Sequence, residues 1–161
     1  MDKKLEKAFN EQIKHELYSA YIYLAMAAYF ETKNLTGFAH WMKVQYKEEV
    51  SHAMKIFEFL NDRSVKVLLQ AIPQPVLEYA STLEVFEETL KHERKVTSLI
   101  NALYDLAKEI NDNASSVFLQ WFVSEQVEEE KNAAYIIENL KMIESVGPAL
   151  IMLDRELAKR E

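Results

Sequence analysis

The chain has 161 residues, 49% of them hydrophobic, a formal charge of −7 and no cysteine. That length and apolar fraction fit one domain, residues 1–161, with a sizeable core. The acidic balance argues against a nucleic-acid partner, whose phosphates need a basic face. The absence of thiols excludes disulfides, thiolate zinc sites, cysteine-held iron–sulfur clusters and a cysteine nucleophile.

The opening Met1-Asp2-Lys3-Lys4-Leu5-Glu6-Lys7 is too charged to precede the apolar part of a signal peptide. No run approaches the ~18 apolar residues of a membrane span. The expectation is a soluble, cytoplasmic protein without a membrane partner. Only two glycines and three prolines interrupt the chain, so long stretches are free of helix breakers. A first helix is expected from about Lys4 to Thr32, and a second after Gly37 to about Asp62. Arg63 to Ala80 is a long connection containing Pro73 and Pro75. A third helix begins at Ser81, which with Glu84 matches a capping box, and runs to about Glu109. A fourth runs from about Asn113 to Ser145. Ala149 to Arg160, after Gly147-Pro148, reads as a short fifth helix.

The short connections, Lys33 to Thr36 and Ile110 to Asp112, join antiparallel neighbours. The long one, at ~3.3 Å per extended residue, can travel the ~37 Å of a 25-residue helix. The fold class is therefore all-α: a four-helix bundle over 4–145, with a crossover between helices two and three and a short C-terminal helix over 149–160.

Each long helix carries a 4-3-4-3 seam facing the core. The first presents Phe9, Ile13, Glu16, Ala20, Tyr23, Ala27 and Phe30. The second presents Phe38, Met42, Gln45, Glu49, His52, Ile56 and Phe59. The third presents Phe86, Leu90, Glu93, Thr97, Ile100, Tyr104 and Ala107. The fourth presents Leu119, Phe122, Gln126, Glu129, Ala133, Ile136, Leu140 and Ile143. A single glutamate interrupts each seam near its middle, and His52 follows Glu49 at i+3 on the same face.

One seam glutamate is commonly a register accident, and a lone Glu-x-x-His arises by chance. Four at similar depth are a different matter. Buried carboxylates cost several kcal/mol each unless paired, and clustered ones also repel. No seam supplies Lys or Arg. Two divalent cations would balance the four charges, which favours a dinuclear site over a single ion. Oxygen-rich ligation with one imidazole suits iron or manganese better than structural zinc.

Several segments resemble the non-haem bacterial-type ferritins: His15-Glu16-Leu17-Tyr18-Ser19-Ala20-Tyr21, Gly37-Phe38-Ala39-His40-Trp41-Met42, Tyr46-Lys47-Glu48-Glu49-Val50-Ser51-His52-Ala53, His92-Glu93, Phe118 to Glu130, and Leu153-Asp154-Arg155-Glu156-Leu157. The resemblance spans nearly the whole chain. It implies an iron-storage ferroxidase that oxidises Fe(II) with O2 or H2O2 and deposits ferric mineral inside a hollow homo-oligomeric shell of 24 subunits, the fifth helix lining pores. Glu16, Glu49 and His52 would hold one iron, and Glu49 would bridge to a second held by Glu93 and Glu129, with Gln126 beside the pair. Glu48, Glu125 and Glu128 match acids of a third iron site in that family, or form a solvated acidic face. Haem-binding bacterioferritins have Met where this chain has Val50, so no haem is expected. Relatives often place Gly-Gly after the arginine ending helix two; here Ser64-Val65 follows Arg63.

Tyr23, two turns from Glu16, either hydrogen-bonds a ligand, donates an electron or simply packs. Trp121 suits packing better than redox chemistry. His15, His40 and His92 fall off the seams, where surface or interface positions suit them. Helix four carries Gln126-x-x-Glu129 rather than a second Glu-x-x-His, so the second iron lacks an imidazole, which favours turnover over a permanent cofactor. Two other functions fit less well. A rubrerythrin-like peroxide reductase normally adds a cysteine-ligated iron and more histidine. A metal-free helical interaction protein would not bury acids on four seams.

Overall fold

In a computed structural model, residues 1–143 and 147–161 are described. Helices α1 (Lys3–Thr32) and α2 (Thr36–Asp62) form one antiparallel hairpin, and α3 (Thr82–Glu109) and α4 (Asn113–Ile143) another. The 63–81 segment joins them, and no strand occurs among the described residues. This is the expected all-α bundle. The expected end of the fourth helix, at Ser145, lies outside the described residues. Helix α5 (Gly147–Leu157) begins earlier than Ala149, because Pro148 is tolerated in a first turn where its N–H has no partner to lose. It also stops at Leu157 rather than Arg160.

Local chemistry sets the helix ends. The Asp2 side chain accepts from Lys4 N at 2.8 Å to start α1. Ser81 Oγ accepts from Glu84 N at 3.1 Å to start α3, and the Glu84 carboxylate returns to take the Ala80 N–H. Three helices end with a left-handed residue, at Asn34 (φ 57°), Ser64 (φ 55°) and Asn111 (φ 60°). In each case the next N–H closes a 6→1 bond: Leu35 to Phe30 O, Val65 to Leu60 O and Asp112 to Ala107 O. The non-glycine Ser64 therefore occupies a backbone position that favours glycine.

Helix α2 has no side-chain cap of its own at Leu35. Asp154 of α5 supplies it: its Oδ1 accepts from Gly37 N at 2.8 Å and Phe38 N at 2.9 Å. The backbones approach so closely that a Cβ on Gly37 would lie 1.6 Å from the Asp154 carbonyl oxygen.

The apolar interior falls into two clusters. One gathers Met26, Phe30, Phe38, Trp41, Phe86 and Ile136 at the end where α1 meets α2. The other gathers Leu5, Phe9, Ile56, Leu60, Ile100 and Phe122 at the opposite end. On every long helix the seam glutamate lies between the residues of the two clusters. Helix α3 departs from its expected stripe. Leu90, Thr97 and Tyr104 are only half-buried, while Val85, Thr89, Val96 and Leu103 are buried. A straight helix of 3.6 residues per turn drifts against a strict 3.5 repeat, so flanking positions rotate inward. Phe59 and Ile143 are likewise half-buried, with Leu60 turned fully inward in α2.

The crossover is held at specific points. Asn10, buried on α1, donates to Glu6 O at 2.9 Å and accepts from Leu68 N at 2.6 Å. Arg63 grips Asp112 with both guanidinium nitrogens, at 3.0 and 2.9 Å, tying the end of α2 to the α3–α4 turn.

Candidate metal centre

Between the two apolar clusters the bundle buries Glu16, Gln45, Glu49, His52, Glu93, Gln126 and Glu129, each at most 4% exposed. The helices bring these side chains together because each acid sits near mid-helix and the hairpins are antiparallel, so the depths match. Ligand atoms of Glu16, Glu49 and His52 all lie within 4.8 Å of one another, as do those of His52, Glu125 and Glu129. His52 thus belongs to both groups. His52 Nδ1 lies 3.5 Å from Glu49 Oε2.

Amides and one phenol orient the carboxylates. Gln12 Nε2 donates to Glu16 Oε1 at 2.8 Å, and Gln45 Nε2 to Glu129 Oε2 at 2.7 Å. Gln126 Nε2 donates to Glu93 Oε2 at 3.1 Å and to Glu93 O at 3.2 Å. The Tyr23 hydroxyl donates to Glu93 Oε1. Glu16 Oε2 and Gln45 Oε1 are buried with no hydrogen-bond partner. An acceptor-only carboxylate oxygen without a donor, in a pocket of further carboxylates, fits a cation.

The electrostatics agree. Burial first, and then the charge of Glu49, pushes Glu16 well above the ordinary glutamate value. Burial and then Glu93 and Glu129 push Glu49 up. Burial raises Glu93 against the opposing bonds from Tyr23 and Gln126. Glu129 is pushed up to about 8 by burial and then by Glu93, with the Gln45 bond opposing. Burial and the same acids also raise the Tyr23 phenol, so it stays a proton donor. Burial and mutual repulsion favour the protonated forms of these acids, and a bound cation would compete with those protons.

A model of the ferritin family, described as a ferritin-like domain, matches residues 6–143. The chain belongs to the ferritin family. It is 42% identical over 160 residues to a bacterial non-heme ferritin of Staphylococcus saprophyticus, covering 99% of this chain and 96% of that one. It is 39% identical to a bacterial non-heme ferritin of Bacteroides fragilis, covering 99% of both. Among solved structures, an open pore ferritin from the hyperthermophilic archaeon Archaeoglobus fulgidus superposes with a TM-score of 0.99, at 45% identity over 100% of this chain and 99% of that one. This ferritin is an iron-storage protein.

Other residues singled out in the sequence fall in different places. Glu48 pairs with Arg160, and Glu128 is exposed, so of those three acids only Glu125 joins a cluster with His52. Trp121 packs edge-on to His52, ring centroids 5.3 Å apart, with Lys55 Nζ 4.1 Å above the indole. Of the two positions expected for His92, surface or interface, the structure shows the second, and the residue is half-buried. It lies between α1 and α3, 2.8 Å from Ser19 Oγ and edge-on to Tyr18 and Tyr23, and burial lowers it to about 4. It takes an interface position within the bundle because the helix-three stripe drifts, bringing that flank toward α1. Gln12 was missed altogether. The available signal was spacing: Gln12 precedes Glu16 by four residues, as Gln45 precedes Glu49.

Proposed function

We propose that this ferritin is a ferroxidase that binds two Fe(II) per subunit, oxidises them with O2 or H2O2, and passes ferric product to a mineral inside a hollow shell. Iron is the substrate here. Glu16, Glu49 and His52 would take one ion, and Glu49, Glu93 and Glu129 the other, with Glu49 between them. Each Fe(II) gives one electron, so a pair matches the two-electron steps of O2 to peroxide and of peroxide to water. The buried acids exchange their protons for metal, which limits the charge brought into a dry interior. Tyr23 holds Glu93 and is positioned to supply a further electron. Gln126, Gln45 and Gln12 fix carboxylate orientation and are neutral, so they add no charge.

The single observation that carries this reading is the buried group of Glu16, Glu49 and His52, whose ligand atoms lie within 4.8 Å of one another, with buried Glu93 and Glu129 acting on Glu49 and with Glu16 Oε2 lacking any donor. The test is aerobic Fe(II) oxidation followed by absorbance in stopped flow. Glu49→Ala and His52→Ala should slow the fast phase by ~100-fold or more, by analogy with other metal-site losses. Oxidation by the double variant at the parent rate would remove these residues from the centre. Tyr23→Phe should slow later turnovers more than the first.

The same reading extends to assembly and place. It takes the shell as a 24-mer of several hundred kilodaltons, open-pored as in the archaeal relative or closed, working in the cytoplasm. Light scattering on the purified protein separates such a shell from a dimer near ~40 kDa. Val50 offers no ligand for haem. A third iron at Glu125, beside His52 and Glu129, belongs to this proposal too; iron stoichiometry in the Glu125→Gln variant tests it.

A further inference from the structure

Beyond α5 the chain turns back along α2. The Arg160 carbonyl accepts from His40 Nε2 at 2.7 Å. The Arg160 guanidinium lies over the Trp41 ring at 4.4 Å, with Nη1 3.5 Å from Trp41 O, and ion-pairs with Glu48. The pair joins residues 112 apart in sequence, and the arginine side chain is only 19% exposed. The lysine–glutamate pairs of this chain are mostly neighbours at i,i+3 on one helix, with at least one partner well exposed.

Glu48 occupies a sensitive position. On α2 it is one turn from Gln45, which bonds Glu129, and one turn from His52. It directly precedes Glu49. Its charge is felt at Glu129. Released from Arg160, Glu48 would place one more anion beside the group formed by His52, Glu125 and Glu129.

We propose that Arg160 is a positioning residue for the metal centre: by holding the Glu48 carboxylate on the tail side of α2, it keeps that anion from strengthening metal binding at His52 and Glu129. A cation tethered to the chain costs no ion from solution and cannot be carried off with product. With Glu48 occupied, an ion at His52, Glu125 and Glu129 is held by fewer charges and leaves more readily once oxidised. The side chains of His40 and Trp41 already anchor the tail, so an anchoring role alone would not require the ion pair to fall at Glu48.

The inference rests on metal binding by His52 and Glu129, and the test separates the two. Zn(II) titration calorimetry on the assembled protein measures binding without oxidation. Arg160→Gln should tighten Zn(II) binding roughly threefold to tenfold, as expected for one uncompensated charge nearby in partly screened surroundings. KM for Fe(II) should fall by a similar factor, and kcat should fall as well because product leaves slowly. Arg160→Lys should recover most of the parent behaviour. In the Glu48→Gln background, Arg160→Gln should change neither Zn(II) affinity nor KM, which closes a double-mutant cycle. A merely structural tail would give a different pattern. Arg160→Gln would then lower Tm and loosen the tail in hydrogen exchange while leaving Zn(II) affinity and KM at parent values, and that result overturns the proposal. Failure of the parent itself to bind Zn(II) would instead overturn the assignment of the metal centre.

Discussion

Two sets of buried or half-buried acids in this bundle sit at opposite ends of the protonation scale. Asp112, at the α3–α4 turn, is drawn down to about 2 by the hydrogen-bonded Arg63 guanidinium. Glu129, in the middle of α4, is pushed up to about 8 by burial and by Glu93. Both belong to a structure stabilised by the same helix packing. What differs is the counter-ion: the turn carries its cation in the chain, and the mid-bundle layer is made of acids, amides, the Tyr23 phenol and His52. A fold that places a carboxylate for stability supplies the partner. A fold that leaves four of them facing one another is arranged for partners from solution.

The largest expected effect comes from supplying those partners. Zn(II) in ~100-fold excess over its dissociation constant should stabilise the chelator-treated protein by about 2.7 kcal/mol per site, read as a shift of the denaturation midpoint. Glu49→Gln should lose most of that gain. Equal gains in both proteins would place the metal elsewhere and end the contrast.

Next is the acid layer without metal. Glu49→Gln should make the metal-free protein more stable at neutral pH by about 1–3 kcal/mol, because folding must put a proton on buried Glu49 at that pH, whereas a glutamine is neutral in both states. The pH dependence has a definite sign. Glu129 is raised from 4.5 to about 8, so its contribution is fully present below about 4.5 and is lost as pH rises through about 8. The metal-free protein should weaken across that window, and Zn(II) should flatten the slope. Unfolding curves at several pH values, with and without metal, measure it.

Asp112 should behave in the opposite way. Its folded value lies below the ordinary 3.8, so its contribution is present above that value and lost as pH falls through about 2. Asp112→Asn should cost about 1–2 kcal/mol at neutral pH, discounted for partial exposure, and almost nothing near the acid end. A loss that is independent of pH would mean that the helix-end packing, not the ion pair, stabilises this turn.

The smallest effect is a control in the same region. Ser64 holds φ 55° immediately after Arg63. Ser64→Gly should raise stability by about 0.5–1 kcal/mol by relieving a left-handed backbone, equally at all pH values and without touching metal binding. A change in metal affinity there would show that the two regions are coupled.

Much of this was legible in the sequence. The capping pair Ser81 and Glu84, the breaker-free stretches and the acid at the centre of each seam follow from local periodicity, and the structure brings Glu16, Glu49 and His52 together as that periodicity required. The less legible residues lie outside the narrow stripe that strict seam spacing picks out. Gln12 lies outside a strict seam yet is buried, because the helix face turned to its neighbours is wider than the 4-3 stripe. His92 faced inward for the same reason.

Sequence alone therefore determined four amphipathic helices, their antiparallel pairing and the acidic layer, since helical spacing and connection length are properties of neighbouring residues. Tertiary structure decided which amide restrains which acid, that Asp154 caps α2 from another helix, and that Arg160 rather than solvent meets Glu48. Those partners are 117 residues apart for the cap and 112 for the tail. No periodicity links such positions, and only the packed bundle brings them within hydrogen-bond reach.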